Sequence, residues 1–150
     1  MVKKTFHTGT VKKTIKIKVS KDKVWRKISN IAGLPTWVVD VKKTVYLSKK
    51  KKDIGAVRLI TFEDGNQIEE HVVAWKKGEY FTYIATEGLP LRAYVATISI
   101  TPKSKNIVEL TWQSYLNSEK MSEKEFLDFI VFLAAFYEAS LENLKISLEK

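Results

Sequence analysis

A chain of 150 residues, 45% hydrophobic and 29% charged, is long enough to bury a core without covalent staples, and its lack of cysteine excludes disulfides, thiolate metal sites and thiol nucleophiles. The net charge of +9 is lopsided, because residues 1–52 hold sixteen Lys or Arg against Asp22 and Asp40, giving +14 and leaving −5 for the rest. The basic half is almost all lysine, without the interleaved arginine and aromatic residues of a nucleic-acid reader, so a specific nucleic-acid partner is not expected.

The N-terminal stretch Met1 to His7 lacks the apolar run of a secretory leader, and the most apolar segment, Phe129 to Tyr137, is too short to span a bilayer. A cytoplasmic location is the expectation. From Thr10 to Val19, Val11, Ile15, Ile17 and Val19 alternate with lysines, which predicts a first strand with a solvated face. Ser20 caps a short helix that turns Val24, Trp25 and Ile28 inward, and Gly33-Leu34-Pro35 breaks it and starts a second short element at Trp37. A second strand over Val38 to Leu47 is expected to bury Val39, Val41, Val45 and Leu47. The run Lys49, Lys50, Lys51 and Lys52 reads as a solvated turn, with weak contact to an anionic surface as its functional alternative.

Asp64-Gly65-Asn66 signals a hairpin between Gly55–Glu63 and Gln67–Trp75. Tyr80–Thr86, Tyr94–Thr101 and Ile107–Tyr115 complete seven strands, joined by connections short enough to imply antiparallel neighbours. A single helix then runs from Ser122 to about Glu149. Ser122 and Glu125 form a capping box, and Phe126, Phe129, Ile130, Leu133, Phe136, Tyr137, Leu141, Leu144 and Leu148 follow the helical period. The expectation is one α+β domain over residues 1–150, a curved sheet holding a long helix. Val131, Phe132 and Ala135 fall off the buried stripe, so the chain is a monomer or a homodimer joined through them.

Several local patterns carry a resemblance. They are Ser20-Lys21-Asp22-Lys23-Val24-Trp25 before Leu34-Pro35-Thr36-Trp37, then Gly55-Ala56-Val57-Arg58 and the strand Ile68 to Trp75. Phe81-Thr82-Tyr83, Pro90-Leu91-Arg92-Ala93-Tyr94 and Val108-Glu109-Leu110-Thr111-Trp112 continue the series. In this order, from about Thr10 to the C-terminus, the chain resembles the START/SRPBCC superfamily, the helix-grip or birch-pollen-allergen-like fold, and within it the polyketide cyclase/dehydrase-like families. The resemblance implies a seven-stranded curved antiparallel sheet gripping a long C-terminal helix, with two short helices between strands 1 and 2 and a ligand cavity inside. Members bind lipids, sterols, polyketides, hormones or quinones, and some catalyse cyclisation or dehydration, so the family does not name a reaction.

Arg58 and Glu70 are the leading polar candidates. A three-residue loop at Asp64-Gly65-Asn66 sets Ile60 opposite Glu70 and Arg58 opposite Val72, so the two charges meet diagonally on the apolar face. A two-residue turn would place them on opposite faces. The pair reads either as an anchor for a ligand carboxylate, carbonyl or hydroxyl, or as a salt bridge keeping the wall neutral, and the arginine is expected to lower the Glu70 pKa. The ring-bearing candidates are Tyr83, Tyr94 and Trp112 on the sheet, facing Phe129, Leu133 and Phe136 on the helix. Ala93, Ala96, Ala134, Ala135 and Ser114 are expected to leave open space between these rings. Trp37 and Trp25 would floor one end, and Leu89-Pro90-Leu91 would form a lip at the other.

Only His7 and His71 are present, without zinc-ligand spacing, and His71 is expected to be exposed. No nucleophile elbow, phosphate loop or dinucleotide fingerprint occurs, and no cofactor is called for. The predicted function is binding of a hydrophobic small molecule of lipid, polyketide or isoprenoid type. The alternatives are a cyclase or dehydratase using Glu70 and Arg58 as acid-base groups, and an adaptor that docks an acidic partner on the lysine face.

Overall fold

A computed structural model describes residues 3–150; the leader reading rests partly on Met1 and Val2, which lie outside the described residues. The elements run β1 (His7–Ile17), α1 (Lys21–Ile28), a 3-10 turn (Leu34–Thr36), β2 (Val41–Tyr46), β3 (Val57–Phe62), β4 (Gln67–Lys76), β5 (Tyr80–Glu87), β6 (Ala93–Ser104), β7 (Ile107–Ser118) and α2 (Glu123–Leu148). All neighbours in the seven-stranded sheet are antiparallel, in the order β1-β7-β6-β5-β4-β3-β2. The strands from β2 to β7 form a meander. The two short helical elements carry the chain from β1, at one edge, to β2 at the other.

Local chemistry sets the element boundaries. Ser20 caps α1 by accepting from Lys23 N at 3.3 Å, and Val24, Trp25 and Ile28 are buried as expected. In β2 the expected alternation fails after its first residue. A bulge between Val41 and Lys43 slips the strand by one, so Val41 is buried while Val45 and Leu47 face solvent. Thr44 and Tyr46 take the inner face instead.

The start of α2 is a complete capping box: Glu125 N donates to Ser122 Oγ at 3.1 Å, and Ser122 N donates to Glu125 Oε1 at 2.9 Å. Ser122→Ala is expected to cost about 1 kcal/mol. Thermal unfolding followed by circular dichroism should register this as a midpoint roughly 2–4 °C lower.

The helix lies over β1 because Gly9 leaves room for it; a Cβ there would stand 3.1 Å from Ile130 Cδ1 and 3.4 Å from Phe126 Cε2. Its far end is tied down by polar contacts. Lys145 Nζ donates to Lys16 O at 2.7 Å, Lys18 N donates to Glu149 Oε2 at 2.8 Å, and Lys23 Nζ donates to Leu148 O at 2.9 Å. Ser140 Oγ accepts from Val39 N at 3.1 Å, joining the segment after the 3-10 turn to the middle of the helix. Leu141, Leu144 and Leu148 are buried along this second half. The first half, from Phe129 to Phe136, faces a space that the curled sheet does not fill.

Candidate ligand-binding cavity

Between α2 and the concave face of the sheet lies a cavity of about 560 Å³. Arg58 and Ile60 reach its wall from β3, Glu70 from β4, and Phe81 and Tyr83 from β5. Tyr94, Ile98 and Trp112 continue the wall on β6 and β7, and Phe129, Leu133 and Phe136 close it from the helix. Period-two alternation puts the strand residues on one face, and helical spacing puts the three from α2 on another. All eight residues expected at a site therefore line one space. Trp37 lines it too, whereas Trp25 packs edge-on against Trp75, with ring centres 5.2 Å apart, and contributes nothing to the wall. Gly88, Leu89 and Pro90 border the mouth.

None of the five small residues lines this space. Ala93 and Ala135 are solvent-exposed, and Ala96, Ala134 and Ser114 lie off the wall. Sheet shape contributes to the volume: the β4–β5 pairing carries two bulges, with Thr86 of β5 extra opposite Glu69 and Glu70 and Val73 of β4 extra opposite Thr82 and Tyr83, and these add curvature on the side away from β1, against which α2 rests.

Arg58 and Glu70 stand directly opposite each other, in neither of the registers expected from sequence. Phe62 N bonds Asn66 O at 2.9 Å, so the three-residue loop is Glu63-Asp64-Gly65, with Gly65 in the left-handed region at φ 90°. The glycine takes the third loop position, where positive φ is needed. This shifts the pairing by two residues, which preserves the faces and brings the charges into closer register.

The pair is almost fully enclosed, Arg58 at 4% exposure and Glu70 at 6%. Arg58 donates from Nε at 2.9 Å and from Nη2 at 2.7 Å to the same oxygen, Glu70 Oε1, and from Nη1 to Ile31 O at 2.9 Å. Its guanidinium also stands 4.9 Å from the centre of the Tyr83 ring. Glu70 Oε2 accepts no hydrogen bond among the described residues. Burial raises the Glu70 pKa above its ordinary value, outweighing the charge and hydrogen bonds of Arg58. This reverses the expected lowering, because one shared carboxylate oxygen does not replace the water lost by both. The third partner, Ile31 O, is a backbone group without a sequence signal.

Next to the pair runs a line of ring donors. Trp112 Nε1 donates to Tyr83 Oη at 3.0 Å, Tyr83 and Tyr94 hydroxyls stand 3.4 Å apart, and Tyr94 bonds Tyr137. Trp112 stacks on Tyr137 with ring centres 3.9 Å apart. Burial pushes all three tyrosine pKa values up, so they remain neutral hydroxyls. The arrangement offers a ligand carbonyl or hydroxyl both donors and an acceptor within a mostly aromatic enclosure.

His71 is half-buried rather than exposed, its Nε2 lying 2.8 Å from Glu69 Oε2 on the outer face. Among the described residues no three His, Asp or Glu side chains are placed to hold a metal ion, and no helix is long and apolar enough to cross a membrane.

The sequence pattern of polyketide cyclase/dehydrase and lipid transport proteins matches residues 8–149. No curated protein matches the chain. Among solved structures, an uncharacterised protein from Bacillus thuringiensis superposes with a TM-score of 0.80 at 21% identity, covering 95% of this chain and 100% of that one. The Zhui aromatase/cyclase from a Streptomyces species gives a TM-score of 0.80 at 13% identity, over 95% of this chain and 94% of that one. A point mutant of norcoclaurine synthase from Thalictrum flavum, in complex with a transition-state analogue, gives 0.74 at 16% identity, over 96% of both chains. At these identities the likeness to the solved structures is one of fold.

Proposed function

The chain belongs to the polyketide cyclase/dehydrase and lipid transport family, and from that premise we propose that it binds a hydrophobic small molecule of lipid, polyketide or isoprenoid type between the sheet and α2. The observation that carries this reading is a cavity of about 560 Å³, walled by aromatic and aliphatic side chains around a buried Arg58–Glu70 pair. The ligand's apolar body packs on Trp112, Phe129, Leu133 and Phe136. Its polar group meets Glu70 Oε2 and the tyrosine hydroxyls.

Native mass spectrometry of protein purified without detergent is expected to show a retained lipid-like mass. Leu133→Trp, which puts a larger ring into the cavity, should lower affinity for that molecule at least about tenfold while leaving the melting temperature unchanged or higher. Binding unaffected by the filled cavity would place the ligand elsewhere and overturn the proposal.

The upward shift of Glu70 favours a second reading, cyclisation or dehydration of a bound carbonyl compound. A protonated Glu70 would donate to the carbonyl or leaving hydroxyl, with the tyrosines holding the oxygen. Loss of turnover in Glu70→Gln with affinity retained supports catalysis, and retained turnover refutes it. Lys49 to Lys52 lie on the exposed connection between β2 and β3, away from the cavity wall, where an acidic partner would not obstruct the cavity.

A further inference from the structure

The mouth of the cavity has a charge opposite to that of the whole chain. Asp40, Glu63 and Asp64 border the space, and with Glu70 inside they make four carboxylates against a single cation, Arg58. Arg58 is committed to Glu70 and to Ile31 O, so it does not neutralise the rim. Among the described residues none of the three rim carboxylates forms an ion pair, although 26 of the chain's residues are Lys or Arg.

The backbone brings these acidic residues to one place. Glu63 N donates to Asp40 O at 2.9 Å, joining the start of β2 to the tip of the β3–β4 hairpin. Asp40 itself takes a left-handed conformation at φ 59°. Asp64 accepts from Asn66 N at 2.9 Å and from Asn66 Nδ2 at 3.0 Å. The three do not converge as a chelating set, so their field suits a diffuse organic cation better than a metal ion. The neighbouring wall is aromatic, with Phe62 and Phe136 ring centres 6.2 Å apart and Phe136 and Phe132 also 6.2 Å apart. Ring faces attract cations, and the same faces and carboxylates repel a carboxylate ligand.

Resting on the proposed ligand-binding role of the cavity, we infer that its mouth is a second recognition point, which selects amphiphiles bearing an amine or ammonium group and rejects fatty-acid-like carboxylates. The apolar body enters first, and the cation stays at the rim among Asp40, Glu63 and Asp64, where it keeps part of its hydration. A half-solvated position avoids the cost of burying a charge in the aromatic interior. It also leaves Glu70 and the tyrosines for a polar group at the ligand's other end.

Decylamine, decanol and decanoate, titrated calorimetrically at pH 7 and low salt below their aggregation thresholds, separate rim from interior. Decylamine is expected to bind about tenfold or more tighter than decanoate, and this preference should shrink as salt is raised. In D40N/E63Q/D64N, which keeps side-chain size and suits the left-handed position at residue 40, the two should approach parity while decanol is unchanged. If decanol binds but decylamine shows no advantage over decanoate, or its advantage survives the triple substitution, the rim inference falls and the cavity reading stands. Failure of all three probes to bind removes the cavity reading and the rim inference together.

Discussion

Glu70→Leu is expected to destabilise the fold by about 3–5 kcal/mol, because it leaves the Arg58 guanidinium buried without its counter-charge. For a chain of this size that lowers the thermal midpoint by roughly 10 °C. The converse substitution, Arg58→Met, costs less, since an orphaned Glu70 escapes by taking up a proton and an orphaned arginine has no such route. R58M/E70L together should recover most of the loss, as expected when a buried ion pair is replaced by apolar volume. Equal losses for both single variants, with no recovery in the double, would show that packing rather than charge holds this wall.

The same pair sets a pH signature. The Glu70 pKa is raised above 4.5 in the folded state, so the native protein binds this proton more tightly than the unfolded chain does. Its contribution is therefore complete below about pH 4.5 and is lost as pH rises through the folded value. Glu69, Glu125 and Glu149 act in the opposite direction: hydrogen bonds lower their pKa values, and their support is lost as pH falls through the lowered values. Urea unfolding of the native chain and Glu70→Gln across pH 4–8 isolates the buried group. The native chain's stability relative to the variant should decline with rising pH, and a flat difference would contradict the inverted shift.

Gly88→Ala should be the most damaging single-methyl addition at a turn. Gly88 has φ 100°, and a Cβ there would stand 2.0 Å from Gln67 O and 2.9 Å from Ile68 Cα, both backbone atoms that cannot swing aside. The conformation alone costs about 1–3 kcal/mol in a residue with a side chain. The clash then forces the β5–β6 connection away from β4. Gly78 provides the control, because φ is 81° there and an added methyl would meet nothing within 4 Å. Gly88→Ala is expected to lose at least about twice the stability lost by Gly78→Ala, and also to weaken ligand retention by displacing Leu89 and Pro90. Matched losses in denaturant unfolding would mean that the close approach is easily relieved.

Sequence patterning carried the architecture because the decisive signals were local. The Ser122–Glu125 box and the helical stripe behind it mark α2, and alternation marks the strands of the meander. Parity was also robust: Arg58, Glu70, Tyr83, Tyr94 and Trp112 share the concave face whether the β3–β4 loop is centred on Asp64 or on Gly65. Features that depend on one-residue slips or on distant segments were not legible. The bulge at Val41 exposes Val45 and Leu47 although their hydrophobicity predicts burial. Ile31 offers Arg58 a backbone carbonyl, and Asp40 reaches the rim through a contact with Glu63. The sign of the Glu70 shift depends on how completely water is removed, which residue spacing does not reveal.

The tryptophans are unevenly distributed over the domain. Trp37 and Trp112 border the hollow interior, while Trp25 and Trp75 pack together away from it. Their emission therefore divides into a pair that sees whatever occupies the interior and a pair that serves as an internal standard. Phenylalanine in place of both Trp25 and Trp75 would leave a chain whose intrinsic fluorescence reports occupancy in real time, without any attached dye.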